Sequence, residues 1–416
     1  MIKVYGDLML DRWIEGDATR ISPEAPVPVL KETTQKFFPG GAGNLAVNIA
    51  SLNGEIGVYG SIAPDREGYR IIDCFSKFKK ISFNASMDSK LTTTKNRLVG
   101  QGGQHIMRWD REEEYNGLEA FSRLLQDLKS KDIVCVSDYA KGTVKHNTIE
   151  RLLEKDCKIL VDPKQKPEYY KGAYLVKPNM HEYESWFGKY TKEKALLQLK
   201  KFGWTYLVVT DGANGMHILS TECKYEHIQE PVQEVADVTG AGDTVLAVIA
   251  YYVEQGVDMF DACKKACYAA ARAVEHRGNH IVTHDDLKNN VIFTNGCFDL
   301  LHVGHLKLLE FAKSKGKKLI VGLNSDKSVK SIKGDTRPVN SQDIRKTQLE
   351  SLPWVDEVIL FDDDTPYDLI KSVKPDLIVK GGDYGVKDVV GHDLTDVCIF
   401  PTIKDFSSTK IIETMK

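Results

Sequence analysis

Short apolar runs alternate with longer amphipathic stretches along this 416-residue chain. Runs over 2–5, 132–137, 158–161, 174–176 and 206–210 read as strands. Each is followed by polar residues or glycine: Gly6-Asp7, Asp138 to Lys141, Asp162-Pro-Lys164, Lys177-Pro-Asn179 and Asp211-Gly212. A doubly wound parallel sheet has this pattern, because its strands are buried on both faces and its cleft lies at their carboxyl ends. Segment 21–28, Ile-Ser-Pro-Glu-Ala-Pro-Val-Pro, is extended, since its prolines exclude helix. Strand-like runs at 27–30, 35–38 and 92–107 carry little helical signal between them and predict a small β-flap outside the main sheet. After the polar stretch His284-Asp-Asp-Leu-Lys-Asn-Asn290 the alternation restarts, with strands over 291–294, 318–323 and 377–380 and a helix reaching about 315. The chain reads as two α/β domains, 1–285 and 291–416, joined by a short linker at 286–290.

Composition narrows the classes. A formal net charge of -3 and a pI near 6.4 give no basic footprint for nucleic acid. No run has the apolar length to cross a bilayer, and Met1-Ile-Lys-Val-Tyr5 leads straight into a strand, so a cytoplasmic protein without membrane contact is expected. The eight cysteines show no CxxC spacing and fit reduced thiols. Cys263 and Cys267, one helical turn apart without a nearby partner, fit helix packing better than metal.

Candidate chemistry centres on Ala236-Asp-Val-Thr-Gly-Ala-Gly-Asp243, which precedes an apolar run of helical length. Gly240, Ala241 and Gly242 can present backbone N–H groups at a helix start, where the dipole also favours phosphate. Asp243, just inside, can accept a proton from an attacking hydroxyl. A glycine-rich cap with a first-turn carboxylate reads equally well from this pattern alone. Pro39-Gly40-Gly41-Ala-Gly-Asn44 opens a second helix, with an amide suited to hydroxyls or phosphate. Asp11 can accept sugar hydroxyls or serve as a turn residue. Asn179 and Glu182, three apart at a helix start, can hold magnesium through waters or form a helix cap.

Together these motifs resemble the ribokinase-like (PfkB) sugar kinases. Gly6-Asp-Leu-Met-Leu-Asp11, the 21–28 segment and Ser137-Asp-Tyr-Ala-Lys-Gly142 are similar to the heptose-7-phosphate kinases among them. The resemblance implies a three-layer αβα domain with a β-flap, ATP as co-substrate and magnesium. It implies Asp243 as catalytic base, Gly240, Ala241 and Gly242 as anion hole, and Asn179 with Glu182 as organisers of magnesium. Asp11, Gly40, Gly41, Asn44, Asp138 and Lys141 are expected on the sugar side, and Thr210, Gly212, Asp237 and Thr239 on the nucleotide side. Gly278-Asn-His-Ile-Val282 departs from the small residues usual at the adenine pocket, and the inter-domain connection is short. An open flap with apolar strands predicts a homodimer through that flap.

In the second domain, Asn295-Gly296-Cys-Phe298-Asp-Leu-Leu-His302-Val-Gly-His305 follows a strand. Two histidines three apart on one helical face can both donate to an α-phosphate. A zinc pair lacks a third ligand at useful spacing, and two structural histidines are the plainer alternative. The stretch resembles the His-x-Gly-His nucleotidyltransferases, which implies a Rossmann-like fold. Ser331-Ile-Lys333-Gly-Asp-Thr-Arg337 reads as a basic loop able to close on a triphosphate. Gly296, Phe298, Gly381, Asp383, Ser407, Ser408 and Thr409 are implied nucleotide contacts. Joined, the halves resemble the bifunctional kinase–adenylyltransferases of ADP-heptose synthesis. The implied reactions are phosphorylation of D-glycero-β-D-manno-heptose 7-phosphate at O1, then adenylyl transfer from ATP to the 1-phosphate. Another sugar phosphate, CTP in the second step, or a kinase domain retained only as a dimerising scaffold are the alternatives.

Overall fold

The computed structural model describes residues 1–113, 115, 117–229, 237–276, 278–287, 291–382 and 384–401. The chain divides into two compact units, Met1–Leu287 and Lys288–Lys416. The first is built on a nine-stranded sheet. Its spatial order is Tyr225–Ile228, Met216–Ser220, Tyr206–Thr210, Leu175–Val176, Lys158–Asp162, Ile133–Ser137, Ile2–Gly6, Ile56–Tyr59 and Ile81–Phe83. The first two strands form an antiparallel hairpin and the others run parallel. Side chains alternate between two helix layers, as the period of a strand requires. Ile2 and Val4 face a layer formed by helices Ala42–Ser51, Ala241–Glu254 and Met259–Ala273. Tyr5 faces the other, with Leu118–Asp127, Thr148–Leu153, Met180–Phe187 and Lys192–Phe202. This is the expected three-layer αβα architecture.

The flap is a separate four-stranded sheet, ordered Pro28–Gly41, Leu8–Ile21, Thr94–Val99 and His105–Arg111. Two sequence expectations change here. Apart from Val27, the runs at 27–30 and 35–38 belong to one long strand, and 92–107 holds parts of two strands around a glycine turn. Strand Leu8–Ile21 was not anticipated, because Asp11, Arg12, Glu15 and Asp17 interrupt its apolar pattern. The carboxylate at the end of the first main-sheet strand is therefore Asp7. Asp11 lies within the flap instead, beside Lys95 in register.

The second unit has five parallel strands in the order Glu357–Phe361, Lys318–Asn324, Val291–Gly296, Leu377–Gly381 and Asp396–Phe400. Counted within the unit, this is 3-2-1-4-5. The winding reverses beside Val291–Gly296, where such sheets open a ligand crevice. Helices Val303–Ser314 and Gln342–Glu350 pack into one core cluster and Tyr367–Val373 into another. The expected basic loop is partly helical, since Ser331 to Lys333 close helix Asp326–Lys333.

Candidate active sites

In the first unit, Gly240 caps helix Ala241–Glu254 at φ +80°, a left-handed conformation that favours glycine. A Cβ there would lie 2.8 Å from Asn44 Nδ2. Ala241 N–H turns to the Val238 carbonyl at 3.4 Å; by helix geometry the amides of Gly242 and Asp243 are open first-turn donors. Asp243 is only 4% exposed. Asn44 Nδ2 donates to its Oδ2 at 2.9 Å, and the Tyr139 hydroxyl donates to Oδ1 and Oδ2 at 3.2 and 3.3 Å. Burial, followed by the charge of Asp162, pushes the Asp243 carboxyl up to about 7, against the pull of Asn44, Lys177 and Lys95. Lys177 Nζ pairs with Asp162 Oδ1 at 3.0 Å. A Cβ on Gly242 would lie 3.4 Å from Lys177 Nζ and 3.7 Å from Asp162 Oδ2, so this ion pair borders the helix start.

Asp11 is buried. It accepts from Arg97 Nη1 at 2.6 Å and Asn279 Nδ2 at 3.2 Å, and Gly40 leaves its carboxylate room. Gly41, at φ +58°, packs against the Asp7 carbonyl. Asp138 is drawn into a closed network by the Tyr170 hydroxyl, Gln165 Nε2 and Ala140 N–H, while burial lifts its carboxyl to about 6. Lys141 pairs with Glu112. Asp237 ties its own loop together, accepting from the amides of Thr239 and Gly278. Thr210 and Gly212 wall an apolar pocket with Met216, Ala241, Val245 and Ala270. The 278–282 segment, expected at an adenine pocket, instead sends Asn279 to Asp11 and sets Gly278 beside Trp13. Gly278 takes φ +80°, a left-handed conformation that favours glycine.

Asn179 and Glu182 form a reciprocal capping box. The Asn179 side chain accepts from Glu182 N–H at 2.8 Å, and Glu182 Oε2 accepts from Asn179 N–H at 3.0 Å. Glu182 Oε1 also accepts from Lys164 at 3.0 Å. The cap reading therefore holds for both residues. Their remaining lone pairs suit a magnesium ion that keeps its waters; among the described residues no cluster of three ligating side chains offers a direct cage.

In the second unit, His302 caps helix Val303–Ser314 in extended conformation and His305 lies in its first turn. The pair keeps its three-residue spacing at the helix start, and the rings lie on one side of it, stacked with centroids 3.9 Å apart at 21°. Burial, then the neighbouring His302, draws His305 down to about 4; burial also lowers His302. Both rings are therefore neutral near neutrality, each with one N–H to donate. Phe298, at φ +43°, packs on His305 with centroids 5.1 Å apart, and Gly296 leaves space for its ring. Arg337 does not lie open. It donates to Asp299 Oδ2 at 2.7 Å, and the amides of Val339 and Asn340 bond the other carboxylate oxygen. Lys333 is exposed at its helix end, near enough to His305 to lower its pKa. Gly381 packs under Leu308. Asp383, Ser407, Ser408 and Thr409 lie outside the described residues.

Two family models match the chain: pfkB family carbohydrate kinase over residues 1–285, and Cytidylyltransferase-like over residues 293–414. The Bifunctional protein HldE of a Nitratiruptor species is 36% identical over 465 residues, covering 100% of this chain and 99% of the relative. That of Vibrio vulnificus is 37% identical over 433 residues, covering 94% and 90%. The chain belongs to the HldE family. It is a bifunctional enzyme, a sugar-phosphate kinase and a nucleotidyltransferase. Among solved structures, Escherichia coli phosphofructokinase-2 superposes with a TM-score of 0.59 at 18% identity, covering 69% of this chain and 96% of its own. Thermotoga maritima ribokinase gives 0.56 at 20%, covering 69% and 97%. These two share the fold of the first unit.

In this HldE-family chain, sequence reasoning passed over Tyr139, Lys95, Asp162, Lys177 and Arg97 in the kinase unit, and Asp299, Arg345 and Lys380 in the transferase unit. Asp162 ends its strand and Lys177 directly follows one, so the strand-end rule applied to them as it did to Asn179. Fully buried Arg345 donates to the carbonyls of Cys297, Asn324 and Asn340, fixing the loop that carries the histidines. Lys380 donates to Asn295 Oδ1 at 2.9 Å, joining the two strands at the winding reversal. No local motif marks either residue.

Proposed function

We infer that this chain carries out two steps of ADP-heptose synthesis. In the kinase unit, Asp243 takes the proton from O1 of D-glycero-β-D-manno-heptose 7-phosphate while O1 attacks the γ-phosphorus of ATP. The products are ADP and the 1,7-bisphosphate. The observation that carries this reading is the buried Asp243, its carboxyl lifted to about 7 beside the open amides of a helix start. A base poised near the working pH next to an anion cradle is what phosphoryl transfer requires. Asn179 and Glu182 would hold a hydrated magnesium ion, which neutralises charge on the phosphates of ATP. Asp11, held by Arg97 and Asn279, faces the sugar with Gly40, Gly41 and Asn44. The apolar pocket beside Thr210 and Gly212 takes the adenine.

A phosphatase outside this chain removes the 7-phosphate. In the transferase unit, an oxygen of the sugar 1-phosphate attacks the α-phosphorus of a second ATP, and pyrophosphate leaves. No protein base is required, because the nucleophile is already anionic. His302 and His305 donate neutral N–H groups to the α-phosphate, and Lys333 supplies charge from the rim. Arg337, bound to Asp299, shapes the adjoining loop. A homodimer through the flap sheet fits its exposed Met107 and Trp109, with a mass by light scattering as the check. No described helix is long and apolar enough to cross a membrane, which accords with a cytoplasmic enzyme. Incubation with magnesium, ATP or CTP, and a panel of sugar phosphates, with products read by mass, tests the whole assignment. Heptose 1,7-bisphosphate and ADP-heptose are expected. Turnover of other sugars alone, or a CDP-sugar, would overturn the substrate or nucleotide choice.

A further inference from the structure

We propose that Tyr139 is a positioning residue for the kinase step, holding the Asp243 carboxylate in orientation and in its charged form from a seat that the flap completes. The inference rests on Asp243 being the base. Asn44 and Tyr139 are the two hydrogen-bond donors to Asp243 among the described residues. Asn44 reaches Oδ2 alone. The Tyr139 hydroxyl spans both oxygens, so it resists rotation of the carboxylate about its last bond.

The seat of Tyr139 is fixed from three sides. Its backbone N–H donates to Asp7 Oδ2 at 2.8 Å, and the amides of Lys141 and Thr143 donate to the same fully buried carboxylate. A Cβ on Gly41 would stand 3.5 Å from the Tyr139 ring, so the start of helix Ala42–Ser51 closes one edge. From flap strand Thr94–Val99, Lys95 Nζ lies 4.6 Å from the ring centroid, a favourable cation–aromatic contact. The flap thus reaches the base through this ring as well as through the charge of Lys95 itself.

The charged and titratable groups facing Asp243 are Asp162 on the neighbouring strand, Lys177 after the next, Lys95 on the flap and Tyr139 itself. Asp162 disfavours the carboxylate and the lysines favour it. A phenol donating to a carboxylate also favours its ionised form, the form that accepts a proton. Burial, then the charge of Asp243, holds the Tyr139 phenol well above the ordinary tyrosine range, so it keeps its proton throughout turnover. The substrate proton goes to Asp243, and Tyr139 remains a donor.

The test compares wild type, Tyr139→Phe and Asp243→Asn in pH profiles of kinase kcat/KM on the heptose 7-phosphate. Tyr139→Phe keeps the ring and the Lys95 contact and removes only the hydroxyl. Its acid limb should move up by roughly 0.5–1 unit, with about a 2- to 6-fold loss near pH 7 that grows towards about 3- to 10-fold at lower pH and vanishes at high pH. KM for the sugar should stay within about 2-fold, because the lost interaction acts on the base. Replacing Tyr139 with a ring-fluorinated tyrosine, which preserves shape and strengthens the donor, should move the same limb down; this variant decides the matter if Tyr139→Phe folds poorly. An unmoved limb in both variants, or a rise in KM with kcat intact, would overturn the proposal while an inactive Asp243→Asn left the base assignment standing. Kinase turnover in Asp243→Asn would remove both.

Discussion

Asp243 binds its proton more tightly in the folded chain than an exposed carboxylate does, with consequences for rate and stability. Stability is lost as pH rises from the ordinary value of 3.8 through about 7, and stays lost above. Kinase kcat/KM should therefore fall on the acid side of about pH 7, where the base is protonated. Asp243→Asn should reduce kinase turnover by on the order of 100-fold or more. The same change should stabilise the kinase unit at about pH 8 by on the order of 1–3 kcal/mol, read as a raised unfolding midpoint, and much less at about pH 5. An unaltered midpoint at the higher pH would show that burial does not strain the carboxylate. His305 presents the opposite case, a base held neutral by burial. His305→Ala should lower kcat of adenylyl transfer more than it raises KM for ATP, with a loss of roughly 2.7–4 kcal/mol for one oxyanion donor. Added zinc should not restore it. A normal kcat with a lowered unfolding midpoint would return His305 to the core.

At the scale of elements, the loop after strand Ile133–Ser137 depends on a single side chain. Asp7 accepts the amides of Tyr139, Lys141 and Thr143 with no exposure to solvent. An asparagine has one oxygen to offer these three donors, so Asp7→Asn should destabilise the kinase unit by about 2–4 kcal/mol, with adenylyl transfer unchanged. A wild-type midpoint would mean that water replaces the lost acceptor. Asp7 also shows where sequence was legible. Main-sheet strands are continuous apolar runs, so their ends, and the glycine-led helices at Ala42 and Ala241, could be read directly. The flap strand Leu8–Ile21 could not, because Asp11, Arg12, Glu15 and Asp17 break up its apolar pattern. That concealment is why Asp11 was expected at a strand end and lies instead in a neighbouring sheet. The loop at 331–337 failed differently. Its lysine and arginine look alike as charges, yet Ser325 caps a helix that takes Lys333, whereas Asp299 claims Arg337. Side-chain partners distant in sequence, such as Arg345 with the Cys297 carbonyl, leave no local pattern.

At the scale of the molecule, each chemistry is assembled within one unit. The Asp243 site draws on the flap, the main-sheet ends and two helices, all inside Met1–Leu287, while the histidine pair, Arg345 and Lys380 all lie inside Lys288–Lys416. Each unit also has its own sheet and its own buried clusters. Independent folding follows if the energy that orders each unit comes from its own core, as it does when a domain buries sufficient apolar surface within itself. Residues 1–287 and 288–416, expressed separately, should each unfold cooperatively, the first retaining kinase turnover and the second adenylyl transfer. Kinetic constants within about 3-fold of the full chain would be expected, since no residue of either site is removed. The full chain should then show two unfolding transitions, and Asp243→Asn should move only the kinase transition. A single transition moved as a whole by that substitution would mean that the units fold as one. Failure of one fragment alone, rescued by adding the other, would locate the missing stability in contact between them.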